Sequence, residues 1–256
     1  PAHDGFYSGG LFRRFSPWGS YFSGECAVRG CMKWVQSSAL AASVMLLSQG
    51  MALAGVVVGG TRLVYDAGKN ETSLTLSNQD KGTAYLMQSW VENGREGDTA
   101  TVPFALTPPL FRLNGGEDNI LRLAYTGSPA LPADRESLFW LNSKSIAETE
   151  RVDTNRLLIS VRSRIKLFYR PKGLAGNANE AYKALTWQRQ GAQLTVTNPT
   201  PYYVSFFNVK VGSAEVSEPP MVAPFGSQQM TAPVSSGTLS WQAINDYGGI
   251  TPAAKQ

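Results

Sequence analysis

Histidine and cysteine are almost missing from this 256-residue chain: His3 stands alone, and Cys26 and Cys31 are the only cysteines. All three fall within the first 31 residues, so from Gly55 onward there is neither. That portion can hold no disulfide, no zinc or copper site of the usual ligand sets, no cysteine nucleophile and no Ser-His-Asp arrangement. The apolar run Ala39–Leu47 falls well short of the roughly 20 residues needed to cross a bilayer. It sits instead between Met32-Lys33 and the small-residue site Ala52-Leu53-Ala54, the pattern of a secretory signal over residues 32–54. Residues 1–31 show no periodicity in front of that signal and read as a non-native or mis-started leader. The expected product is an exported protein without membrane insertion, beginning at Gly55.

An excess of one charge is also lacking. Setting aside Arg13, Arg14, Arg29 and Lys33 with Asp4 and Glu25 leaves 19 basic and 17 acidic residues, a net charge of +2. General nucleic-acid binding loses its support. Gly59-Gly60 and Gly115-Gly116 are not followed by the helix a phosphate loop requires. Ser143 and Lys144 are neighbours in strand-like text and would point to opposite faces. The acid pairs Glu92 with Glu96 and Glu148 with Glu150 leave an exported carboxylate hydrolase as a weak alternative. We expect no catalytic residues, no metal and no cofactor.

What is present is strand after strand. From Asn155 to Pro171 the chain reads NRLLISVRSRIKLFYRP, with Leu157, Ile159 and Val161 alternating with Arg156, Ser160 and Arg162. Period-two alternation predicts one long strand with an apolar face, interrupted only by Leu158. Six basic residues (Arg156, Arg162, Arg164, Lys166, Arg170 and Lys172) lie between Asp153 and Glu180 with no acid among them. One strand thus offers an aliphatic ladder beside a concentrated positive charge. Together with it, the short apolar runs that precede it, separated by NQDKG, NGREGD, LNGGED and TGSPALPAD, predict about seven strands of an immunoglobulin-like sandwich. After it, RPKGLAGNAN reads as a hinge, NEAYKAL as one helical turn, and ALTWQR, AQLTVTN, YYVSFFNVKV, SQQMTAP and TLSWQAI as a second all-β domain. The expected domains span 55–173 and 174–256.

Arg62, near the start of the first domain, and Lys166, on its last strand, could meet at the domain junction. Two cations brought together attract an anion such as a carboxylate, unless each pairs with a local acid such as Asp66 or Glu136. Parity raises a question: Lys166 is even-numbered and Leu157, Ile159 and Val161 are odd. Either a bulge lies near Arg162–Arg164, or the lysine and the ladder use different faces.

Several motifs in order then resemble one family: Thr61-Arg62, Thr107–Leu113 (TPPLFRL), Asp134–Phe139 (DRESLF), Ile165–Pro171 (IKLFYRP), Asn198–Tyr203 (NPTPYY) and Ile244–Gly249 (INDYGG). They are similar to the periplasmic pilus (fimbrial) assembly chaperones of the chaperone–usher pathway, the PapD-like family. The resemblance implies two immunoglobulin-like sandwiches in a boomerang arrangement. It also implies a periplasmic, non-enzymatic protein that lends a strand to pilin subunits and delivers them to an outer-membrane usher. By the same match, Arg62 and Lys166 anchor the subunit carboxylate and Leu157, Ile159 and Val161 are donor residues. Glu136, Arg170 and Asp246 form a charged triad between domains, and Leu86, Gln88, Thr107 and Pro109 touch the usher. A self-capping dimer is expected of the free chaperone. Ala147 departs from the proline many relatives carry there. A secreted carbohydrate-binding sandwich, with Trp187 and Trp241 stacking on sugars, is the alternative.

Overall fold

The computed structural model describes residues 55–95, 97–148 and 159–256. The leader, the signal segment, Glu96, Glu150 and the expected donor residue Leu157 lie outside them.

Residues 55–170 form a sandwich of nine strands. One sheet has the order β1 (Val56–Val58), β3 (Glu71–Asn78), β7 (Asp118–Tyr125), β5 (Phe104–Thr107). The other has the order β2 (Arg62–Asp66), β9 (Ser160–Arg170), β8 (Ser137–Ala147), β4 (Tyr85–Asn93), β6 (Leu110–Leu113). Leu74 and Leu76 on β3 and Leu121 and Leu123 on β7 face Met87, Leu141 and Leu167 across the core. Burial on one face and water on the other selects period two. Tyr65, Phe104, Tyr125, Phe139 and Tyr169 close one end with ring centroids 4.6–6.4 Å apart.

One strand that the sequence reading does not separate is β6, because the text from Thr101 to Leu113 holds two strands. Pro108 and Pro109 lack the N–H that a ladder needs, so the chain leaves the β7 side after Thr107 and re-enters as β6 beside β4.

A 3-10 helix over Ala178–Ala184 links to the second sandwich. Its sheets are β10 (Thr186–Gln190), β11 (Gln193–Thr197), β14 (Ser227–Thr231) and β13 (Ala214–Glu215), β12 (Phe206–Val211), β15 (Leu239–Ala243), β16 (Ala254–Lys255). Its core includes Leu194, Val196, Val209 and Val222, and Trp187 packs 5.2 Å from Trp241. Both tryptophans are buried, which removes them as sugar-stacking platforms.

One topological detail positions the site. β2 runs parallel to β9 and pairs with it only from Arg62↔Lys166 to Asp66↔Arg170. On that side, Ser160–Ile165 have no strand partner among the described residues. Half of β9 is an open edge.

Candidate functional site

The parallel register sets Arg62 directly across from Lys166. Neither makes an ion pair among the described residues; Asp66 instead stands across from Arg170, and Glu136 pairs with Arg170. The Arg62 Nη1 donates to the Ile244 carbonyl at 2.9 Å, and the Lys166 Nζ donates to Ser205 Oγ at 3.1 Å, so each cation reaches across to the second sandwich. The Arg62 Nε is buried without a hydrogen-bond partner. Burial, and then the facing Arg62, pull Lys166 down from 10.5 to about 8. Burial also lowers Arg62, with Asp246 and Glu136 opposing at longer range. A desolvated pair of cations with an unused donor is suited to a bidentate anion.

The parity question has a clear answer. β8 and β9 pair without a register shift from Ile146↔Ser160 to Ser137↔Tyr169. There is no bulge, so β9 uses two faces. Odd residues Ile165, Leu167 and Tyr169 enter the core, and Val161 continues that row beyond it, 58% exposed. Ile159, 70% exposed, extends the alternation by one more step. Even residues Lys166, Phe168 and Arg170 turn toward the second sandwich, where Phe168 meets Tyr203 at 5.5 Å.

Arg170 bridges both domains. Its Nε donates to Glu136 Oε1 at 2.7 Å, and its Nη1 and Nη2 donate to Asp246 at 2.8 and 2.9 Å. Glu136 Oε2 accepts the Tyr203 N–H at 2.8 Å, and the Glu136 N–H donates to the Pro201 carbonyl at 2.9 Å. Burial pushes the Glu136 carboxyl up despite Arg170, so the group is held where ionisation is unfavourable. Taking such ions out of water offsets much of their mutual attraction, so the intact pairs contribute little net stability.

Comparison with known proteins agrees with this architecture. Residues 55–175 match the family described as "Pili and flagellar-assembly chaperone, PapD N-terminal domain", and residues 180–255 match "Pili assembly chaperone PapD, C-terminal domain". The chain belongs to the PapD-like pilus-assembly chaperones. It is 39% identical over 213 residues to the chaperone protein FimC of Escherichia coli K12, covering 81% of this chain and 86% of that one. It is 40% identical over 228 residues to the chaperone protein FimB/FhaD of Bordetella pertussis, covering 84% and 93%. A solved relative, the SafB chaperone in complex with the SafA pilin of Salmonella enterica, is 31% identical with a TM-score of 0.73, covering 81% of this chain and 98% of that one.

In this PapD-like chain the remaining expected residues fall as follows. Leu86 and Gln88 are exposed on β4, and the Ser89 N–H donates to the Pro109 carbonyl at 2.8 Å. Thr107, also exposed, ends β5 in the opposite sheet. Leu110 stands across from Gln88 and is 57% exposed, adding an apolar residue to that patch. Sequence reasoning passed over Leu110 because β6 was not separated from the preceding prolines. It also passed over a cluster beside the even face of β9, where Arg162 and Arg164 lie over Trp90 and Trp140 at 5.0 and 4.2 Å and share Glu92. Glu92 is thereby occupied by arginines, and Glu148 by Arg112 at 2.7 Å. Among the described residues, one acid of each pair in the carboxylate-hydrolase alternative is therefore engaged by arginine.

Proposed function

We propose that this protein captures pilin subunits in the periplasm by lending them the open half of β9. On this reading the subunit's C-terminal carboxylate lies between Arg62 and Lys166, and the subunit is then handed to an outer-membrane usher through the patch around Leu86, Gln88, Thr107, Pro109 and Leu110. The observation that carries the reading is the placement of two acid-free cations where the open strand edge begins. An immunoglobulin-like subunit missing a strand exposes an apolar groove and unpaired amides, a state prone to aggregate. The β9 edge offers backbone pairing, and Val161 and Ile159 offer burial of about 1.5–3 kcal/mol each before ordering terms. The cations fix register, since a strand slipped by one residue would present the wrong face. Folding assistance and delivery break no covalent bond, so the role is not enzymatic. When free, the same edge pairs with that of a second copy in a self-capping dimer.

The test is co-expression of residues 55–256 with pilin subunits from the same source, followed by purification and native mass analysis. A one-to-one complex supports the reading. Recovery of the chaperone alone with every subunit, while those subunits aggregate, would overturn it.

A further inference from the structure

Two arginines on β9 take no part in the cation pair or in the domain triad, yet they are tied down more firmly than surface arginines need to be. The Arg162 Nε and Nη2 donate to Asn142 Oδ1 at 3.0 and 2.8 Å, and Nη2 also donates to both Glu92 oxygens at 2.8 Å. Its guanidinium lies 5.0 Å over Trp90, whose Nε1 donates to the same carboxylate at 2.8 Å. Arg164 stacks 4.2 Å over Trp140 and reaches Glu92 at 3.8 Å. The Trp90 hydrogen bond first, then the two guanidiniums, hold Glu92 below the ordinary carboxylate range.

The register shows why this matters. Arg162 is directly across from Lys144, a like-charge pair that repels. Instead of facing it, Arg162 leans along the strand to Glu92 on β4, across the intervening β8. The cluster therefore joins three strands on the even face of β9, opposite the row carrying Val161. It does so over Ser160–Ile165, the segment that β2 leaves unpaired. A strand held along one edge frays, and long cationic side chains can fold over an open backbone edge.

We propose that Arg162 and Arg164, with Trp90, Trp140 and Glu92, form a rivet that keeps the open half of β9 extended before a partner arrives. This rests on the strand-lending reading above. The arginines are positioning residues: they act through the backbone of Ser160–Ile165, so that its ordering entropy is spent in the free chaperone and not at capture.

The experiment combines amide hydrogen exchange on free Gly55–Gln256 with stopped-flow association using a pilin subunit diluted from denaturant. Wild type is compared with Arg162→Met/Arg164→Met and with Arg162→Lys, which keeps the charge but loses the planar fork. Exchange at the β8-facing amides of Ser160–Arg164 is expected to rise about tenfold in the double variant, with Leu167–Tyr169 unchanged. Association slows by about tenfold while dissociation stays within about threefold. The lysine variant falls between.

Unchanged exchange overturns the rivet. Faster exchange without slower association overturns its role in capture. Slower association with unchanged exchange would mean that the arginines touch the subunit directly, which also overturns it. If wild type captures no pilin, the strand-lending reading fails, and the exchange measurement still decides whether the cluster holds the strand.

Discussion

Arg62 and Lys166 face one another across parallel strands, two cations in register with no acid bonded to either among the described residues. Like charges opposed on paired strands are unfavourable, and both groups are half-buried. On the proposed reading, the carboxylate of a bound subunit supplies the opposite charge. Replacing either residue with alanine should abolish pilin recovery in co-purification while leaving the circular dichroism spectrum of the free protein unchanged. Lys166→Met should go further and raise the melting temperature of the free chaperone, because it removes a desolvated charge. A Lys166→Met protein that melts below wild type would show the pair to be a structural asset.

The pair also predicts a pH dependence. Lys166 is pulled to about 8 from 10.5 by burial and by Arg62. Between those values the unfolded chain binds more protons than the folded one, so stability of the free chaperone rises with pH across that window. Capture runs the other way. A bound carboxylate restores the proton on Lys166, so above pH 8 binding takes up a proton and affinity falls, by up to about tenfold per pH unit. Titration calorimetry at pH 7 and pH 9 measures this, and Lys166→Arg should flatten the profile. A wild-type affinity that stays constant between those pH values argues against protonated Lys166 as the anchor.

Val161 and Ile159 are exposed on a single copy of the chain, so charge there should be harmless until a groove or a second copy closes over them. Ile159→Asp or Val161→Asp should leave the urea midpoint of the monomeric protein unchanged and eliminate recovery of pilin. Recovery at wild-type yield with both variants would remove them from the donor row.

At Arg170 the expectation reverses. Glu136 is only 3% exposed, and without Arg170 its carboxyl is left buried with no cation bonded to it among the described residues, so it must either stay charged or take up a proton. Arg170→Ala should cost about 3–5 kcal/mol in urea unfolding. Restoring an apolar pairing with Arg170→Met and Glu136→Leu together should recover much of that stability but loosen the setting of the two domains, detectable by small-angle scattering. A single Arg170→Ala with wild-type stability would remove the triad from the interface energetics.

Leu86 and Leu110 make a prediction that separates capture from delivery. Leu86→Glu with Leu110→Glu should leave pilin recovery intact yet stop assembly of pili on cells. Normal piliation with both charges present would place the usher contact elsewhere.

Much of this protein is legible in its order of amino acids. Period-two runs broken by Gly, Pro, Asn and Asp define an all-β chain, because alternation records which side of each residue meets the core. The Asn155–Pro171 text carries both the aliphatic row and the cations, and the ordered motifs point to the family. Which partners those residues have is visible only in the folded chain. Arg62 and Lys166 lie over one hundred positions apart, and their lack of an acid could be read only after Asp66 was seen to face Arg170 and Glu136 to bind it. The unbroken β8–β9 register resolved the parity of Lys166 against Val161, and the diagonal reach of Arg162 to Glu92 had no local signal. The physical reason is one of range: alternation is set by neighbouring backbone angles, whereas charge pairing is set by whichever distant strand the sheet brings alongside.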